Sequence, residues 1–519
     1  MNKHKLYPTP VFGIILLFTL ACISLNAFAE LRLPSGADRA PNLSLDPFER
    51  ARDSIRRLPT SEPKEETKPQ KSNDQKQAPA AQPRHSTIDS DLRLEPISPV
   101  QESGSAGEVA IEESGEPTEP FSQEFVLTVD WFARTAGGIL YMDDENGEPQ
   151  ETATSAMPGL LEYTAQIDTD AMDLWKNGTF FAHLGATFGS SPSQFTGALQ
   201  AVSSIDPGGP PNLLKVLELW YEHSFPHSNS QVLIGVHDTS SEFVISEYAN
   251  FFVNSAPGMG TVVSVAAGPS AYPATTFGVR FFTELSENTY LRMGAYDGVA
   301  TDYTKFLDLN FSSDEGVFGI AEAGYVKGEP GSEGYLKVTL GGWYLKQENP
   351  GYFAGHEYDD RTDAIDPVTG EFLHDFAPRP GNAGTYFLAE TSIGETLGLF
   401  FKTGRASKDI NRYTEFYTGG FNYTGLIPGR PDDVIGAAAI HVRHGAAFMA
   451  AHPTNPNTAE PGMEPRAWFN AETVYEITYA TQFNDYLSLQ PTYQYVLQPG
   501  MDFTVGNASI IGVRVQGVY

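Results

Sequence analysis

The chain has 519 residues, with 65 Asp and Glu against 33 Lys and Arg and a formal net charge of −32. This length exceeds one small domain, and the acidity argues against a nucleic-acid partner, because phosphate binding needs a basic footprint. A mean hydropathy of −0.27 is too polar for a bundle of membrane helices, but not for strands of which only alternate residues meet lipid.

Residues 1–29 read as a secretory signal peptide. Lys3, His4 and Lys5 form a basic start, Val11 to Leu20 an apolar run, and Ala27-Phe28-Ala29 an A-x-A site, placing cleavage before Glu30. An uncleaved anchor is an alternative. A lipoprotein site at Cys22 is another, weakened by Thr19 where an aliphatic residue is usual. Cys22 is the only cysteine, so the processed chain would hold no disulfide. No later run of ~20 apolar residues could cross a bilayer as a helix.

Residues 30–120 are rich in Pro, Glu, Lys, Gln and Ser and poor in aromatics. Such a segment buries too little apolar area to offset its ordering entropy. It is expected to be a disordered periplasmic extension, with one short charged helix over Asp46 to Leu58. It would serve as a solvated linker or as a grip on another envelope component.

From Phe121 the pattern changes to short runs of period two, punctuated by Gly, Pro, Asn and Asp. Leu161 to Asp168 alternates without an error. Phe180, Ala182, Leu184, Ala186 and Phe188 oppose Phe181, His183, Gly185 and Thr187. The same alternation recurs over Leu291–Tyr296, Leu336–Tyr344, Val474–Tyr479 and Leu487–Tyr495. A soluble sandwich alternates too. Tyr and Phe at the ends of the apolar faces, segments of about ten residues and the leader favour a transmembrane barrel instead. Ile511, Val513, Val515 and Tyr519 share one face of the last segment, and an aromatic final residue is typical of outer-membrane strands, although Gly517 weakens the pattern. At ~25 residues per strand and loop, residues 121–519 make an all-β antiparallel transmembrane barrel of about sixteen strands.

Six short stretches, in order, carry a resemblance. Phe421-Asn422-Tyr423-Thr424 leads into Gly425-Leu426-Ile427-Pro428-Gly429-Arg430-Pro431-Asp432-Asp433. Leu217 to Glu222 reads L-E-L-W-Y-E. Asp238 is followed by Ser241-Glu242-Phe243, with Ser240 where Asn is usual. Phe251-Phe252-Val253-Asn254-Ser255, Gly268-Pro269-Ser270 with Pro273, and Leu489-Gln490-Pro491 with Gln498-Pro499-Gly500 complete the set. Residues 121–519 thereby resemble the carbohydrate-selective porins of the OprB type. The resemblance implies a single-chain barrel of about sixteen strands in the outer membrane of a Gram-negative bacterium, with short periplasmic turns and long outer loops. It also implies passive diffusion of glucose-like mono- or oligosaccharides into the periplasm, without a cofactor. Outer-membrane lipid and lipopolysaccharide would surround a monomer or homotrimer.

A pore selective for neutral sugars needs charged hydrogen-bonding groups for hydroxyls and aromatic faces for the ring. Opposed basic and acidic rows also set up a transverse field. Glu218, Trp220 and Glu222 share one strand face, while Arg280 and Arg292 take inward positions on neighbouring strands. Lys337 shares a face with Trp343, and Arg514 points inward on the last strand. Glu218, Glu222, Arg280 and Arg292 are the candidate constriction residues, and Trp220 and Trp343 the candidate aromatic guides. The alternative for each is a solvated wall residue that sets no selectivity, as most lumen charges in a barrel are. Glu242 and Arg430 sit in turns and could pin loops, and Gly429 to Asp433 has the composition of a tight architectural turn.

Metal and catalytic readings find little support. His441 and His444, three apart on a strand, point to opposite faces, and His223 and His227 straddle a turn. Asp359, Asp360, Asp363 and Asp366 could hold Ca²⁺ in an outer loop or form a solvated acidic loop. No G-x-S-x-G element or cysteine nucleophile marks an enzyme. Competing readings are a general or ion-biased porin and a structural envelope barrel. Two long segments, Gly351–Gly384 and His444–Pro465, are candidates to fold inward.

Overall fold

A computed structural model describes residues 120–143, 149–206, 212–264, 270–298, 305–307, 316–346, 381–408, 411–445, 449 and 468–519. Residues 1–119, the span of the expected leader and of nearly all of the expected extension, the four aspartates at 359–366 and most of both long segments named above lie outside the described residues.

Period-two alternation becomes sixteen long antiparallel strands. They are β1 (Phe121–Gly138), β2 (Pro158–Asp168), β3 (Gly178–Gly189), β4 (Leu213–Phe225), β5 (Ser230–His237), β6 (Thr276–Ser286), β7 (Thr289–Asp297) and β8 (Val317–Lys327). The second half comprises β9 (Leu336–Lys346), β10 (Asn382–Ile393), β11 (Leu397–Ala406), β12 (Tyr413–Thr424), β13 (Val434–His444), β14 (Ala471–Asn484), β15 (Leu487–Leu497) and β16 (Gly506–Val518). Each strand pairs with its neighbours in sequence, and β1 pairs with both β2 and β16, so the sheet closes. At the seam Phe125 and Tyr519 exchange backbone hydrogen bonds of 2.8 Å in both directions. Closure leaves no unpaired edge, the condition for carrying strand backbone through hydrocarbon.

The outward row of β1 is Phe125, Leu127 and Trp131, all exposed, while the inward Thr128, Asp130 and Phe132 are buried. At one end of the barrel the connections are short, as between Ser286 and Thr289 or Asn484 and Leu487. Gly425 and Gly429 adopt positive φ in the connection between β12 and β13, where Arg430 Nε bonds Asp433 Oδ2 at 2.7 Å. This turn is architectural, as its composition suggested.

The opposite end carries the long connections, and two of them fold into the lumen. The first, residues 190–206, contains the short helix α1 (Ser193–Thr196). The second, residues 238–264 with 270–275, contains α2 (Thr261–Ser264). Phe195, Val202, Phe243, Val253 and Val262 from these segments pack against Phe132, Phe318, Trp343, Ile440 and Ile510 of the wall. The main apolar core therefore lies inside the barrel, around the inward segments. Backbone bonds of 2.9 Å from Ser204 to Val253 and from Ser255 to Ala201 join the two segments to each other.

Candidate functional site

Glu218, Trp220 and Glu222 face inward from β4, Arg280 from β6, Arg292 from β7, Lys337 and Trp343 from β9, and Arg514 from β16. All eight are buried. Seven Asp, Glu and Arg side chains from this set and its neighbourhood meet at one place, where residues 238–243 enter the lumen.

Asp238 opens a 3-10 turn over Thr239–Ser241. One carboxylate oxygen accepts from the Ser240 N–H at 2.7 Å and the Ser240 hydroxyl at 2.6 Å, and the other from the Tyr272 N–H at 2.9 Å. Asp238 thereby ties the start of the segment to its far end, which is what Asp contributes in a turn. The turn aims Glu242 at the guanidiniums. Arg280 Nε lies 2.5 Å from Glu242 Oε2, and Arg292 Nε lies 3.2 Å from the same oxygen. Arg280 also donates to Glu222 at 2.5 Å, and Arg292 pairs with Glu322 at 3.3 Å. Glu218 accepts the Asp238 N–H at 3.1 Å and the Trp220 indole N–H at 3.0 Å.

Buried charge is costly unless paired and hydrogen bonded, and here each charge finds a partner. Burial opposes ionisation of Glu242, but Arg280, the His237 hydrogen bond and Arg292 outweigh it and hold the carboxyl well below the usual range. At Asp238, burial and then the Glu218 charge push the carboxyl up to about 6.

The rest of the inward segment is moored to the wall in a recurring way. Glu322 on β8 accepts from the Val244 N–H and the Tyr386 hydroxyl. Glu390 on β10 accepts from the Ser246 and Tyr335 hydroxyls, and Lys337 pairs with Glu247 at 3.5 Å. Lys402 on β11 donates to the carbonyls of Val244, Pro257 and Gly258. Glu476 on β14 accepts the Val253 and Asn254 N–H groups at 2.9 and 3.0 Å. The segment 190–206 is held likewise. Glu472 accepts from Leu199, Gln200 and Gly500, while Arg514 forms a bidentate pair with Asp130 at 2.8 Å for both bonds and reaches the Ser204 hydroxyl. Wall carboxylates thus replace water for loop backbone amides, and these charge-assisted bonds are the strong kind.

The two candidate tryptophans sit in different settings. Trp220 stacks on Phe181, with ring centroids 4.8 Å apart and planes 24° apart. Phe282 and Tyr290 form a second stack at 5.8 Å, under the Arg292 guanidinium. Phe181, Phe282 and Tyr290 are only half-buried, as are the inward Thr164, Gln166 and Ser224 nearby. Trp343, 4% exposed, packs in the lumenal core against Phe318 instead.

Glu322, Glu390, Lys402, Glu472 and Glu476 were not singled out by sequence. Their inward parity on polar strand faces was visible, but not the loop amides and carbonyls they engage.

The family model described as carbohydrate-selective porin, OprB family, matches residues 153–519. Porin B of Pseudomonas aeruginosa is 27% identical over 180 residues, 32% of this chain and 40% of Porin B, so the chain spans less than half of that relative. A high-pH structure of OprB from Pseudomonas putida is similar in fold, with a TM-score of 0.62 at 16% identity over 77% of this chain and 94% of that one. The protein is a β-barrel of the Gram-negative outer membrane, and with most of its length matched it belongs to the carbohydrate-selective porins of the OprB family.

Proposed function

We propose that the barrel admits glucose-like mono- and oligosaccharides to the periplasm by passive, selective diffusion. The long connections would lie outermost, and residues 30–120 on the periplasmic side after removal of the leader. The observation that carries this reading is the inward segment 238–264, which narrows the lumen and sets paired charges beside half-buried aromatic stacks. A sugar has hydroxyl edges and apolar ring faces. Phe181 over Trp220, and Phe282 over Tyr290, offer flat surfaces to the ring faces. Thr164, Gln166 and Ser224 offer hydrogen bonds to the edges.

In this reading Arg280, Arg292, Glu218 and Glu222 shape the constriction from behind, by fixing Glu242 and the turn at Asp238. Lys337 and Arg514 do the same for the more distant parts of the inward segments, and Trp343 supports them from the core. Carbohydrates are the proposed solutes, lipopolysaccharide and outer-membrane lipid the surroundings, and a monomer or homotrimer the assembly.

Liposome swelling tests the reading. Glucose is compared with gluconate and with an uncharged non-sugar of equal size. Saturable glucose entry faster than both supports it. Equal rates for all three leave a general diffusion pore, and gluconate entry far from the neutral rates marks an ion-biased one.

A further inference from the structure

The outward strand faces are apolar almost throughout, as hydrocarbon contact requires. Charges at outward positions of the described strands are few, and most are scattered at strand ends. One group is different. Arg405 on β11, Glu415 on β12 and Arg443 on β13 stand side by side in cross-strand register at the long-connection rim. Arg443 donates to Glu415 at 3.0 Å, while Arg405 approaches its other oxygen at 3.9 Å, and the two arginine side chains remain 43% and 69% exposed.

Two more exposed cations belong to the same rim, Lys346 at the end of β9 and Lys408 just beyond β11. The rim thus carries four exposed cations, of which the two arginines flank the Glu415 carboxylate, in a chain whose net charge is −32. On the same outward face, toward the middle of the barrel, come Phe401 and Phe421, both exposed. The cations therefore sit where the apolar band ends. Deeper, facing hydrocarbon, they would be strongly unfavourable. At headgroup level a guanidinium fork matches a phosphate. Glu415 occupies only part of the donor set of the two arginines, which carry five N–H groups each. Its carboxylate holds the pair together about two strand spacings, ~10 Å, apart.

We propose that the β9–β13 rim is a binding site for the phosphate groups of a phosphorylated glycolipid of the outer leaflet, with Arg405 and Arg443 as its centre. This rests on the proposed orientation, in which the long connections face outward.

The test uses the full-length porin in detergent, titrated with diphosphoryl lipid A, with its monophosphoryl form and with inorganic phosphate, and read by native mass spectrometry. Wild type is expected to retain the diphosphoryl lipid at least tenfold more tightly than the monophosphoryl one. Millimolar inorganic phosphate should not displace it. The R405Q/R443Q double variant should lose at least tenfold in affinity while keeping the heat-modifiable gel mobility of a folded barrel, and the opposite-rim control Lys327→Gln should bind as wild type does. Unchanged binding by the double variant overturns the proposal. So does displacement by inorganic phosphate, which marks a free-anion site, or an altered oligomeric state with unaltered lipid binding, which marks a contact between copies. Labelling of a Lys408→Cys variant by an impermeant maleimide on intact cells tests orientation separately. Without labelling the orientation fails and the proposal with it; labelling without lipid binding defeats the glycolipid site alone.

Discussion

Arg280 and Glu242 form a fully buried ion pair, with Nε 2.5 Å from Oε2 and the guanidinium at 0% exposure. The pair joins a barrel strand to a segment crossing the lumen, so its loss acts on the channel as well as on stability. Removing one partner of a buried pair leaves an uncompensated charge, typically costing about 3–5 kcal/mol. Arg280→Met is expected to free the entrance of the inward segment. Planar-bilayer recordings should show higher and noisier single-channel conductance, and the swelling preference for glucose over gluconate should shrink.

Glu476 accepts two loop amides and the Thr492 hydroxyl, with no basic partner at hydrogen-bond distance among the described residues. Glu476→Ala should cost more than Glu476→Gln, because the amide keeps an acceptor oxygen, and each buried donor left unsatisfied costs about 1–3 kcal/mol. Thermal unfolding followed by gel mobility should order the three proteins wild type, Gln, Ala. A barrel with the segment loosened should also admit a trisaccharide faster.

Lys402 holds three carbonyls of the same segment. Lys402→Met keeps most of the volume and loses every bond. Limited proteolysis should then cut between residues 244 and 258, where the wild type resists. Equal resistance would mean that the remaining moorings suffice.

Trp220 and Phe181 stack face to face. Trp220→Ala removes a ring surface without removing a charge. The expected result is a several-fold rise in the glucose concentration giving half-maximal swelling, with ion conductance nearly unchanged. Trp343→Ala, deep in the lumenal core, should instead lower thermal stability by about 3–5 kcal/mol, the usual cost of a large buried truncation.

Asp238 gives a pH dependence. Burial and then Glu218 raise its carboxyl to about 6, above its unfolded value near 3.9. Protonation therefore favours the folded turn. That contribution is full below the unfolded value and is lost as pH rises through about 6. Glu242 has the opposite sign. Its depressed carboxyl stabilises above the unfolded carboxylate range and is lost on acidification below it. Melting curves between pH 4 and 7 should show the Asp238 contribution, and Asp238→Asn should flatten that window while leaving the loss at lower pH.

Much of the barrel was legible because period-two alternation is a local property. β2 and β3 begin and end within a few residues of the runs read from Leu161 and Phe180. The inward parity of Glu218, Arg280 and Arg514 followed from the same alternation. What these residues touch did not follow. Asp130 and Arg514 lie 384 residues apart, and nothing local announces that pairing. Nor does composition reveal that residues 238–264 fold inward, because their apolar side chains resemble those of any buried segment. Glu242 was the exception. Its place in a turn suggested pinning by salt bridges, and it sits at the centre of the ion-pair network.

The seam between β1 and β16 has a consequence for biogenesis. Until β16 arrives, β1 carries one free edge, and β15 at the far end of the growing sheet carries another. Such edges invite strand addition from other chains. Closure over a separation near 380 residues is also slow, since distant contacts must first bring the intervening chain together. Both edges of the unfinished barrel must therefore stay shielded until the final strand pairs. A chain whose β16 cannot pair, for instance through charge reversal at Arg514, should aggregate or be degraded rather than appear as a leaky pore.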